Sequence, residues 1–106
     1  MTPQTAKPRI EIPQEALAEF CRHHYILKMS LFGSVLRDDF TSQSDVDVLV
    51  QFDLEHHPGL VRLGLIELEL SKILGGRKAH ISTAEDLSKY FRQKVVSEAQ
   101  VQYVFA

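Results

Sequence analysis

The residues best suited to chemistry lie in one segment, LFGSVLRDDFTSQSDVDVLVQFD, residues 31–53. Two carboxylates, Asp45 and Asp47, stand one residue apart at the head of an apolar run. Alternate residues of a β-strand point to the same side, about 6.5–7 Å apart, so both side chains should face a common point. Mg²⁺ prefers oxygen ligands from carboxylates, water and phosphates. The pair therefore predicts a metal site for Mg²⁺.

A Gly-Ser pair precedes these carboxylates. Gly33 lets the backbone approach a phosphate closely, and the helix predicted after it offers free N–H groups and a positive dipole end. The Ser34 hydroxyl is a further donor, and Arg37, one turn later, can lie alongside the same phosphates. A phosphate cradle beside metal-binding carboxylates is suited to nucleotidyl transfer. In that reaction metal ions activate the attacking hydroxyl and stabilise the departing pyrophosphate.

The elements that must position these residues form a layered α/β pattern. Helices are expected at residues 13–24, 34–40, 60–74 and 83–105, with Ser34 capping the second, and Thr83 and Asp86 the last. Strands are expected at residues 25–32, 45–53 and 77–82. The order αβαβαβα predicts an α/β (α+β) fold with a small mixed sheet of three or four strands, packed by helices. Residues 1–12 are interpreted as a lead-in and residues 13–106 as one domain.

The bulk composition bounds the class of protein. A chain of 106 residues with 44% hydrophobic and 25% charged residues is typical of one soluble globular domain. Its net charge of −2 creates no overall electrostatic field that would attract polyanions, so no direct nucleic-acid binding is expected. No signal-peptide pattern or apolar run of about 18 residues is present, which argues against a membrane location. The lone Cys21 cannot form an internal disulfide and is expected to fill the core, so a cytoplasmic location is predicted.

A family resemblance rests on the same residues. Gly33-Ser34, ten residues and Asp45-Val46-Asp47 resemble the GSx10DxD signature of the nucleotidyltransferase superfamily that includes DNA polymerase β. The segments SDVDVLVQF and FRQKVVSEAQVQYV are similar to its minimal branch, best known as the antitoxin half of HEPN–MNT toxin–antitoxin pairs in prokaryotes. The resemblance covers residues 14 to 104. It implies an α/β nucleotidyltransferase-like fold.

The resemblance also implies an activity. The expected reaction is the Mg²⁺-ATP-dependent transfer of AMP to a tyrosine hydroxyl of a cognate HEPN ribonuclease toxin, in the prokaryotic cytoplasm. Gly33 and Ser34 would hold the triphosphate, and Asp45 and Asp47 would hold the metals. ATP is then the substrate, Mg²⁺ the cofactor and the toxin the partner.

One position departs from the family pattern. The family carries a third carboxylate on a later strand, in a segment that GRKAHIS resembles, and here that position is His80. Neutral imidazole brings one lone pair and no negative charge, and it suits Zn²⁺ or Cu²⁺ better than Mg²⁺. Three interpretations stay open: a weakened or inactive site that neutralises a partner by binding, a working site in which His80 is a base or ligand, or a misaligned surface residue.

The helix predicted at residues 60–74 is apolar nearly all round. A helix of this kind is buried on more than one side. Either it is wedged between the sheet and the C-terminal helix, or a partner or a second copy of the chain packs against its second apolar side. Two histidine pairs, His23-His24 and His56-His57, are expected to be solvated or capping residues, because adjacent residues on a helix or strand point in different directions.

Overall fold

Four strands form one sheet in the computed structural model, which describes residues 10–105. They are β1 (Ile26–Phe32), β2 (Val46–Phe52), β3 (Ala79–Ser82) and β4 (Gln100–Val104). Their order is β3-β2-β1-β4, with β1 antiparallel to both β2 and β4, and β2 parallel to β3. The helices are α1 (Gln14–His23), α2 (Leu60–Ile73) and α3 (Lys89–Glu98). The predicted α/β class with a small mixed sheet is confirmed. Residues 1–9 of the predicted lead-in lie outside the described part of the chain.

The strand with the strict alternation separates the two faces of the sheet. Val46, Val48, Val50 and Phe52 of β2 are buried, as the period of two requires. They join one apolar core with α1 and α2, which includes the buried Cys21. Burial raises the pKa of the Cys21 thiol to about 12, so the predicted role as core filler agrees with its surroundings. The opposite face of β2 carries Asp47.

Helix α2 buries only a narrow stripe. Ile66 and Leu70 reach the core, whereas four apolar side chains are 62–88% exposed: Leu60, Val61, Leu65 and Leu68. They lie opposite the buried stripe, with Gly64 among them. The interpretation of this helix as wedged between the sheet and the C-terminal helix is therefore wrong. The remaining alternative is that another chain packs against these exposed apolar side chains.

The prediction of one helix over residues 83–105 is wrong. Thr83 and Asp86 form the predicted capping box, but it closes a single 3₁₀ turn at Ala84–Asp86. Ser88 then caps α3, its hydroxyl accepting the Phe91 backbone N–H at 3.3 Å. After Glu98 the chain pairs with β1 as β4, because the alternation in QVQYV matches a strand as well as a helix end.

The helix predicted at residues 34–40 is also shorter than expected. Gly33–Leu36 forms one 3₁₀ turn, and Phe32, not Ser34, is its N-terminal flanking residue. A single turn has a small dipole, so any phosphate bound here meets backbone N–H groups rather than a helix dipole. Within residues 10–105, no helix combines the length and the apolar character needed to cross a membrane.

Candidate active site

The turn after β1 brings the backbone against a carboxylate. Gly33 has a φ of 78°, a conformation that favours glycine. A Cβ atom built at this position would overlap Asp47 Oδ2 and would lie 3.2 Å from Asp47 Cγ. A side chain at position 33 would therefore push Asp47 from its place. The Ser34 hydroxyl has no hydrogen-bond partner in the described chain, so it is free to donate to a ligand.

Strand pairing places two predicted site residues, Asp47 and His80, in one row with Phe32. Asp47 of β2 is opposite Phe32 of β1 on one side and His80 of β3 on the other. Residues in register on neighbouring strands project to the same face, so His80 and Asp47 stand side by side. Asp45, directly before β2, is exposed at the edge of this row. The structure thus puts His80 next to the Asp-x-Asp pair and does not place it elsewhere on the surface.

Asp47 is the electrostatically unusual residue of the row. Burial raises its pKa above 3.8, the charge of His80 lowers it, the neighbouring Asp45 raises it and Arg37 lowers it. Desolvation is the largest of these effects, so the charged form of Asp47 is under-compensated by its neighbours. A carboxylate in this condition attracts a cation.

A cleft of about 710 Å³ opens in front of this row. One wall comes from the sheet and the turn after β1, and includes Gly33, Arg37, Asp47 and His80. The other wall is α3 with the short segment that leads into it, and includes Leu87, Phe91, Lys94 and Glu98. The volume lies within the range of small-molecule sites, about 300–1,000 Å³.

The loop before Asp45 is anchored to β3. Arg77 donates to the Thr41 carbonyl at 3.2 Å, and its guanidinium lies over the Phe40 ring, 5.0 Å from the centroid. The Val46 N–H donates to the Lys78 carbonyl at 2.8 Å, which starts the β2–β3 ladder. These contacts hold the loop that leads into Asp45, so Arg77 has a positioning role that the sequence did not reveal.

The carboxylates of the site fit Mg²⁺ only if water and a substrate supply the rest of its ligands. No cluster of three or more His, Cys, Asp or Glu side chains able to hold a metal exists within residues 10–105. Asp45 and Asp47 supply two carboxylates, and Mg²⁺ commonly binds one or two carboxylates and takes its remaining ligands from water and substrate phosphates. The desolvated Asp47 is the group that such a cation would compensate.

Four cleft residues escaped the sequence analysis. Leu87, Phe91, Lys94 and Glu98 fall within the single helix predicted at residues 83–105, and none of them was predicted as a site residue. Their spacing of four, three and four residues is that of one helix stripe, and this pattern was the available signal. It could not be assigned to the site without knowing that the chain turns back after Glu98 to pair with β1.

Three comparisons place the chain among known proteins. The nucleotidyltransferase domain model matches residues 14–102. A relative from Methanocaldococcus jannaschii, provisionally named protein adenylyltransferase MJ1379, is 35% identical over 85 residues, which span 73% of this chain and 83% of the relative. A solved structure, provisionally described as a minimal nucleotidyltransferase, is 30% identical with a TM-score of 0.66, covering 81% of this chain and 85% of that one.

A more distant likeness concerns the fold alone. A toxin–antitoxin crystal structure with AMP-PNP matches with a TM-score of 0.69 at 16% identity, covering 88% of this chain and 74% of the matched chain. The family model covers most of the described residues, including the Gly-Ser turn, the Asp-x-Asp strand and α3. The chain therefore belongs to the nucleotidyltransferase domain family, in its minimal form.

Proposed function

We propose that this protein is a protein adenylyltransferase that transfers AMP from Mg²⁺-ATP to a tyrosine hydroxyl of a HEPN ribonuclease toxin. The activity is suggested by the name of the relative from Methanocaldococcus jannaschii, and the antitoxin role by the fold of the toxin–antitoxin structure. The observation that carries the proposal is the row His80–Asp47–Phe32 beside the Gly33 turn, facing one cleft.

The predicted site residues have distinct tasks. Gly33, Ser34 and Arg37 bind the triphosphate, and Asp45 and Asp47 hold the Mg²⁺ that accompanies it. When bound, the metal neutralises phosphate charge and favours departure of pyrophosphate. A new bond forms between the tyrosine oxygen and the α-phosphorus, and the bond from the α-phosphorus to the bridging oxygen breaks, releasing pyrophosphate. His80, which stands beside Asp47, accepts the phenolic proton at a ring nitrogen.

Intact-mass spectrometry tests this activity. The purified protein is mixed with a candidate HEPN-domain toxin, ATP and Mg²⁺, and the native chain is compared with His80→Asp. The variant Asp45→Asn/Asp47→Asn is the blank. We expect an AMP-sized mass increase on the toxin with the native chain and none with the blank. A mass increase only with His80→Asp would mean that the native site has lost its chemistry.

A binding function is the second candidate, because His80 stands where the family has a carboxylate and α2 exposes four apolar side chains. In that case the chain neutralises the toxin by occlusion, through the surface formed by Leu60, Val61, Leu65 and Leu68. Toxin binding would then survive Asp47→Asn, and toxin inhibition would survive with it. If Asp47→Asn abolishes inhibition while the complex still forms, the catalytic function is supported.

A further inference from the structure

The α3 wall of the cleft is divided into two halves. Leu87 and Phe91 are apolar, whereas Lys94 and Glu98 carry opposite charges. Neither charged residue has an ion-pair partner within the described residues, although they lie one helical turn apart. Phe91 is 49% exposed, so a large aromatic face is left open at the cleft. This wall is therefore complementary to a ligand that has an apolar part and a charged part.

The topology decides which half lies where. Helix α3 leads from β3 to β4, and these are the two edge strands of the order β3-β2-β1-β4. The start of the stripe therefore adjoins the β3 side, where His80 and Ser82 line the cleft. Gln100 is opposite Leu31, so the end of α3 adjoins the C-terminal end of β1, which leads into Gly33. The charged half faces the proposed phosphate cradle and the apolar half faces His80.

We propose that Leu87 and Phe91 form the subsite for the acceptor's aromatic ring, so that the site selects tyrosine over serine or threonine. This inference rests on the proposed function. The phenol ring packs on the Phe91 face while its hydroxyl points toward His80 and Asp47. Aromatic pairs of this kind contribute about 0.5–1.5 kcal/mol beyond the area that they bury.

In-line displacement explains why the apolar half receives the acceptor rather than the adenine. The attacking and leaving oxygens lie on opposite sides of the phosphorus. Gly33, Arg37 and Lys94 line the β1 side of the cleft, so pyrophosphate departs on that side. The nucleophile must then enter from the β3 side, which is where His80 and the exposed ring of Phe91 stand.

The test measures transfer kinetics with a tyrosine peptide and a matched serine peptide, for the native protein and Phe91→Ala. Two substitutions elsewhere on the same helix serve as controls. Tyr90→Ala removes an aromatic neighbour that is 94% exposed and lies outside the cleft, and Val96→Ala alters a residue that lines a separate cavity of about 430 Å³. ATP binding is followed independently by isothermal titration calorimetry with Mg²⁺.

We expect Phe91→Ala to raise the KM for the tyrosine peptide about tenfold, to leave ATP affinity within twofold, and to narrow the preference for tyrosine over serine. Phe91→Tyr should restore the KM because it keeps the ring. An unchanged peptide KM with weakened ATP binding would overturn the inference and would assign Phe91 to the adenine. Absence of transfer by the native protein, with ATP still bound, would refute the proposed function itself.

Discussion

At the scale of single residues, Gly33 is the position where backbone conformation and site chemistry meet. Gly33→Ala adds a Cβ that overlaps Asp47 Oδ2 and also strains a φ of 78°. Gly75→Ala is the matched control, because Gly75 has a φ of 74° and open space around the added Cβ. We expect Gly75→Ala to cost about 1 kcal/mol of unfolding free energy and Gly33→Ala about 2–3 kcal/mol.

Urea unfolding monitored by circular dichroism gives both values. The difference between the two variants isolates the contact with Asp47, since the backbone strain is common to both. Gly33→Ala should also weaken Mg²⁺-ATP binding, whereas Gly75→Ala should not. Equal destabilisation of the two variants would show that Asp47 moves aside without cost.

Asp47 links the site to stability through pH. Burial raises its pKa in the folded state above the ordinary value of 3.8, so the folded protein holds a proton that the unfolded chain releases. The associated stability is present below the unfolded pKa and is lost as pH rises through the folded pKa. At neutral pH the ionised carboxylate therefore opposes folding.

Asp47→Asn should raise the melting temperature at pH 7 by about 2 °C, a modest gain because solvent screens part of the carboxylate. Thermal melts at pH 7 and well below pH 3.8 check the sign, since the gain should vanish where Asp47 is protonated in both states. Asp45→Asn, at an exposed position, should change the melting temperature less. A lower melting temperature for Asp47→Asn at pH 7 would mean that contacts with His80 and Arg37 outweigh desolvation.

At the scale of elements, one buried histidine joins α1 to α2. His24 follows α1 and is 9% exposed, and its Nε2 pairs with the Glu69 carboxylate of α2. Its Nδ1 is buried without a hydrogen-bond partner. The expectation that the His23-His24 pair is solvated or capping holds for His24 only through its position as the C-cap residue of α1, because its side chain is buried. The turn after α1 carries it inward, where it packs edge-on against Phe20.

Glu69→Ala should cost about 1–3 kcal/mol, because it leaves a buried imidazole with neither nitrogen paired. Glu69→Gln is the matched control, since its amide oxygen can still accept from the Nε2 of His24. Chemical unfolding of the two variants, together with the double variant His24→Leu/Glu69→Ala, separates the pair from packing. Recovery of stability in the double variant is expected. Full stability of Glu69→Ala would show that water replaces the carboxylate.

At the scale of the whole molecule, the domain presents the cleft and the exposed apolar face of α2 on different sides. The cleft lies on the Asp47 face of the sheet, whereas α2 covers the opposite, apolar face and turns its second apolar stripe outward. A partner docked on α2 therefore leaves the cleft open for a substrate. An enzyme that binds its target through one surface and modifies it at another has this arrangement.

Charge on the α2 surface should break partner binding without unfolding the domain. Leu65→Glu and Leu68→Glu replace exposed side chains, so the melting temperature should shift by no more than about 2–4 °C. Affinity for the HEPN toxin, measured by biolayer interferometry, should fall at least tenfold if these residues are central contacts. Leu54→Glu is the control, because Leu54 is 97% exposed but lies on the turn before α2. Equal affinity of all three variants would place the toxin on another surface.

The local structure of the chain could be predicted from the sequence alone. Asp45 and Asp47 at the head of an alternating strand, Gly33 at a turn and the ends of α1 and α2 all follow from short-range periodicity and turn chemistry. The family of the chain also follows from the Gly-Ser and Asp-x-Asp spacing, because that motif is contiguous within fifteen residues.

Only the tertiary structure decided the rest. The pairing of β4 with β1 joins segments about seventy residues apart, and QVQYV is too short for its own periodicity to distinguish a strand from a helix end. Because of that pairing, α3 lies across the sheet, and Phe91, Lys94 and Glu98 line the cleft. The outward face of α2 was likewise undetermined, because an apolar helix surface does not specify which neighbour covers it.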